Sequence, residues 1–134
     1  MPPEKGGPGD AHEWLRRAAS NLQRARGGAG LPGVYLEDLC FDAQQAAEKA
    51  VKAVLINEQL AFPYVHDLVT LLTLVEVEGV ELPPEVKEAG RLTRFAVETR
   101  YPGMGDPVTR EEHTTAVEIA EAVMAWAEKR VGAP

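Results

Sequence analysis

The chain holds 134 residues, 45% hydrophobic and 26% charged, with a formal net charge of -7. That is the length of one domain and the composition of a globular protein, not of a disordered chain. No apolar run approaches the roughly 20 residues that span a bilayer, and the acid excess argues against indiscriminate binding to phosphate backbones. Pro2, Pro3, Glu4 and Lys5 lack the apolar segment of a signal peptide, and the single cysteine, Cys40, forbids an internal disulfide. The expected compartment is therefore a reducing cytoplasm, with no membrane contact.

Residues 1–9, rich in proline and glycine, read as a flexible tail, and residues 10–131 as one helical domain that Asp10 opens as an N-cap. Ala11, Leu15, Ala18, Leu22 and Ala25 step by four and three, one apolar stripe on a first helix with Trp14 alongside. The run Gly27-Gly28-Ala29-Gly30-Leu31-Pro32-Gly33 stops it. Val34 to about Gln59 holds neither glycine nor proline and predicts one helix of about 25 residues, ~37 Å long. Its inner stripe is Leu36, Cys40, Ala43, Ala47, Ala50 and Val54, small enough mid-helix for a close neighbour. Phe41, Gln45, Glu48 and Lys52 mark a second stripe on another face.

After Pro63 a third helix is expected over about Val65 to Val75, well buried through Leu68, Val69, Leu71, Leu72 and Val75. The near alternation from Val75 to Leu82 also fits a short hairpin, but an isolated hairpin has no sheet to join, which favours a frayed end and a loop. A fourth helix is expected from about Glu85 to Thr99, and a last one from Thr109, with Glu112 as its capping-box partner. Ala116, Ile119, Ala120, Val123, Ala127 and Val131 give that last helix its stripe. The fold class is all-α: an antiparallel up-and-down bundle with two long helices and shorter additional ones.

The run from Cys40 to Leu55, with Gln44-Gln45, Glu48-Lys49 and Lys52 inside it, resembles the signature helix of HEPN domains (higher-eukaryote and prokaryote nucleotide-binding). Trp14 with Ala18-Ala19, then His66-Asp67-Leu68, then Thr99-Arg100-Tyr101-Pro102 match the family in the same order. The resemblance implies a helical bundle that often homodimerises. It implies frequent pairing with a small nucleotidyltransferase, in toxin–antitoxin or related defence modules. Many members are metal-independent ribonucleases, whose motif is an arginine followed four to six residues later by a histidine. Here Arg110 lies too close to His113 and Arg100 too far, and neither His12 nor His66 has an arginine at that distance upstream. The ribonuclease motif is missing, with Arg100 in the place of its arginine.

Each conspicuous group also has a plain structural reading. Gly28-Ala29-Gly30-Leu31-Pro32-Gly33 fits the letters of a dinucleotide fingerprint but follows a helix rather than a strand, and reads as a linker. No cysteine or histidine pair has metal-ligand spacing, and no cofactor is implied. Cys40, on the apolar stripe, reads as a buried thiol rather than a nucleophile. Asp67 suits a helix cap, and His66 beside it either shares that role or lines a polar pocket. Gln44, Gln45, Glu48, Lys49 and Lys52 form either a solvated face or, with His66 and Asp67, a surface for a partner or a phosphate ligand. Arg94, Arg100 and Tyr101 suit nucleotide binding through guanidinium forks and an aromatic ring, whereas Arg91 suits surface pairing.

The expected function is a HEPN-like nucleotide- or partner-binding module, homodimeric, acting with a nucleotidyltransferase in a toxin–antitoxin-like system. One alternative is a metal-independent ribonuclease with a degenerate motif, using Arg100 with His66 or His113 on RNA. Another is a purely structural dimer.

Overall fold

A computed structural model describes residues 8–96 and 106–132. It contains α1 (Pro8–Gly27), α2 (Leu36–Asn57), α3 (Leu68–Val77), a single turn α4 (Pro84–Lys87) that runs into a 3-10 segment (Glu88–Ala96), and α5 (Arg110–Val131). Among the described residues there is no strand, and no helix is long and apolar enough to cross a membrane.

α2 is the central helix. Fifteen of its 22 residues are buried, so neighbours surround nearly its whole circumference. Ala43, Ala46, Ala47, Ala50 and Ala53 are fully buried, and these small side chains let the flanking helices approach closely. α1 packs antiparallel to α2, as the contacts Asn21–Asp42 and Trp14–Lys52 require. α5 runs in the same direction as α2. Glu37 at the start of α2 accepts a hydrogen bond from the Val108 amide just before α5, and Arg130 at its end reaches Glu58. α2 and α5 are the two longest helices at 22 residues each, and α3 with the 3-10 segment packs beside them.

The predicted stripes of α1 and α5 are those that pack. Ala11, Leu15, Ala18, Leu22 and Ala25 are buried, as are Ala116, Ile119, Ala120, Val123 and Ala127. The capping box is present: the Thr109 side chain accepts from the Glu112 amide at 3.1 Å, and the Glu112 carboxylate accepts from the Thr109 amide at 2.9 Å. α1 begins at Pro8, two residues before the expected cap. Proline at a first helical position loses no hydrogen bond, and Asp10 then sits in the first turn where its charge suits the dipole.

The fourth helix departs most from expectation. Only Pro84–Lys87 is α-helical, followed by nine residues of 3-10 helix; the stretch expected to continue to Thr99 lies outside the described residues beyond Ala96. The physical reason is the spacing of Val86, Ala89, Leu92 and Phe95, all buried and three apart. A 3.0-residue turn keeps all four on one face, whereas an α-helix rotates them progressively off it. Gly90 within the segment lies so close to Val69 that a β-carbon there would sit 2.7 Å from its methyl group. Val69 itself is exposed, against expectation, because α3 shows only Leu68, Leu71, Leu72 and Val75 to the core. The hairpin alternative is absent: α3 runs to Val77 and turns at Gly79, whose φ of 90° favours glycine.

Candidate functional site

The polar stripe of α2 is not a solvated face. Gln44, Glu48 and Lys52, one turn apart, are all buried, with Glu48 and Lys52 only 3% and 4% exposed. Glu48 is the hub. It accepts from Gln44 Nε2 at 2.8 Å and from Lys52 Nζ at 3.1 Å. The Lys52 ammonium also lies over the rings of Trp14 and Phe62, 5.5 and 5.8 Å from their centroids. Gln45 donates to Gln44 Oε1 at 2.8 Å, and Gln44 reaches the His66 carbonyl at 3.4 Å.

The network surfaces at His66. Its Nδ1 lies 3.0 and 3.1 Å from the two Glu48 oxygens, while the side chain is 63% exposed. A carboxylate accepts hydrogen bonds, so the proton between them sits on Nδ1, which donates to Glu48. Asp67 fixes this corner: its carboxylate caps α3 by accepting from the Val69 amide at 3.0 Å and from the Thr70 hydroxyl at 3.0 Å. The Leu68 amide donates to Thr93 Oγ1, which ties α3 to the 3-10 segment. His66 is therefore held by α2 while Asp67 starts the next helix.

A second network, on the α1 side of α2, has no counterpart in the sequence reading. Asn21 and Asp42 are buried and joined by a 3.0 Å bond from Asn21 Nδ2 to Asp42 Oδ1. Asp42 also accepts from Arg24 at 2.6 Å, and Asn21 Oδ1 accepts from Lys49 at 2.7 Å. Burial, and then the neighbouring Arg17 and Arg24 charges, lower the affinity of the Lys49 amine for its proton; Glu48 and Asp42 oppose them. The legible signal was Asn21 on the same flank as Trp14, Ala18 and Ala25, with Asp42 seven residues before Lys49.

A third feature is a cleft of roughly 260 Å³ between the 3-10 segment and the first turns of α5, lined by Arg91, Arg94, Phe95, Glu111, Glu112 and Thr115 among others. Arg94 lies 4.3 Å over the Phe95 ring and pairs with Glu112 at 2.6 Å. The Thr109 amide first, and Arg94 next, hold the Glu112 carboxyl below its usual range. Arg91 pairs with Glu88 on the surface, as its position suggested. Arg100 and Tyr101 lie outside the described residues.

His113 lies apart from the His66 network, between α5 and α1. It is buried, and its Nε2 bonds the Ala25 carbonyl at 2.8 Å, which joins α5 to α1. Cys40 is fully buried, and burial pushes its thiol up to about 12. A thiol reagent at pH 8 should leave it untouched in the native protein and label it fully in urea, measured by mass. Among the described residues no three His, Cys, Asp or Glu side chains gather to hold a metal.

A family model described as the HEPN domain matches residues 11–130. The fold is similar to the crystal structure of TT1696 from Thermus thermophilus, at 34% identity and a TM-score of 0.78, covering 90% of this chain and 97% of that one. It is similar also to the crystal structure of an archaeal HEPN homologue, at 25% identity and a TM-score of 0.68, over 90% of this chain and 97% of that one. No curated protein sequence matches.

Proposed function

The chain belongs to the HEPN family, and from that membership we propose that it is a homodimeric binding module whose α2 face receives a small nucleotidyltransferase, in a toxin–antitoxin-like pair. HEPN domains commonly dimerise. The observation that carries the docking face is the buried Gln44–Glu48–Lys52 network ending in the exposed His66. A buried ion pair of this kind adds little stability over apolar side chains of the same size. It does tie the exposed imidazole to a buried carboxylate, with Gln45 in the same network and the Asp67 cap next in the chain, which suits recognition. Arg94 is the nucleotide end in this reading, because the cleft beside Phe95 offers a guanidinium next to an aromatic face, and Arg100 and Tyr101 are added to it from the family resemblance alone.

The test is a native pull-down of the tagged chain from its own cells, with proteins identified by mass spectrometry. A stoichiometric nucleotidyltransferase is expected with the wild type, and at least tenfold less with His66→Ala, whose exposed side chain leaves the fold intact. Equal recovery with the variant, or no nucleotidyltransferase with the wild type, contradicts the reading.

One observation favours a second reading. An imidazole held by a buried carboxylate, with its side chain 63% exposed, is the arrangement of a general base. Metal-independent cleavage of RNA that vanishes in His66→Ala would move the assignment to a ribonuclease.

A further inference from the structure

The α1 side of α2 carries positive charge that neither reading uses. Among the described residues, Arg16, Arg17 and Arg24 on α1 and Lys49 on α2 face two contacting carboxylates, Glu13 and Asp42, in a chain whose net charge is -7. Lys49 touches neither: its ammonium is held by the neutral amide of Asn21. Asn21 and Asp42 beneath are 6% and 7% exposed, a buried polar floor that anchors the Lys49 and Arg24 heads. Their positions are thus fixed before any ligand arrives, which reduces the entropy lost on binding. Burial and the two guanidinium groups already disfavour the charged Lys49, so an anion seated there relieves an existing repulsion.

We propose that Lys49, Arg24 and Arg17, set on the Asn21–Asp42 floor, form a binding site for a short phosphate chain. Arg17 and Arg24 are two turns apart, about 10 Å along α1, with Lys49 on the neighbouring helix. One phosphate cannot touch all three; two or three linked phosphates can. A compact ligand is favoured over a nucleic-acid backbone because a long polyanion also meets the acidic remainder of the surface. The site is separate from the Arg94 cleft. Cys40, which senses the Arg94 charge, lies nearly opposite Asp42 around α2 at about 100° per residue. It does not depend on the nucleotidyltransferase reading.

The test is calorimetric titration of the full chain with sodium tripolyphosphate, with ATP and with a single-stranded RNA oligonucleotide, at low salt. Tripolyphosphate is expected to bind the wild type and Lys49→Arg, and at least tenfold more weakly Lys49→Gln and Arg24→Gln. Lys87→Gln, an exposed residue paired with Glu76, should bind as the wild type does, and thermal melts verify that each variant is folded. Where the binding of ATP is weakened by Lys49→Gln, equal affinity assigns the site to the phosphate chain alone and tighter binding assigns it to a nucleoside triphosphate; both support the site. No binding of tripolyphosphate, equal binding by Lys49→Gln and Arg24→Gln, or tighter RNA binding through the same residues overturns it.

Discussion

Glu48→Ala is expected to lower the unfolding free energy by about 3–5 kcal/mol, read from urea denaturation at neutral pH. Lys52 is 4% exposed, and its contacts include Glu48 at 3.1 Å and the faces of Trp14 and Phe62. Removal of the carboxylate takes the salt-bridge partner at 3.1 Å from an ammonium held in the protein interior. Gln44 Nε2 loses its better acceptor in the same step and keeps only the His66 carbonyl at 3.4 Å. A loss below about 1 kcal/mol would mean that the ammonium finds water, and that the pair is a surface interaction.

Glu48→Leu combined with Lys52→Met should behave quite differently. Both charges leave together, apolar volume replaces them, and stability is expected to return to within about 1–2 kcal/mol of the wild type. His66 then loses the carboxylate that orients it, while its backbone remains fixed by the cap at Asp67 and the Leu68–Thr93 bond. A chain that folds normally but presents an untethered imidazole separates the structural from the recognition role of the network. Recovery of the nucleotidyltransferase should fall at least tenfold.

The helices were legible in the sequence where one apolar period ran unbroken. The stripes of α1 and α5 and the Thr109–Glu112 capping box depend on local spacing, and local spacing is what a sequence displays. The 3-10 segment was misread as α-helix because a three-residue apolar repeat over Val86, Ala89, Leu92 and Phe95 resembles a helical stripe until its drift is counted. The candidate site was legible as residue types and not as environment. Gln44, Glu48 and Lys52 look solvated in isolation, because their burial comes from Trp14, Phe62 and the α2–α3 connection, which are distant in sequence or lie in a loop. His113 was weighed as a catalytic residue for the same reason: its partner, the Ala25 carbonyl, is 88 positions away.

The most direct test of the account is the native pull-down made side by side with the wild type and the Glu48→Leu/Lys52→Met double variant, after both have been shown to unfold at similar urea concentrations. The account predicts a stoichiometric nucleotidyltransferase with the wild type and its loss with the double variant. Equal recovery by the two chains would contradict it, because the buried network would then be packing alone.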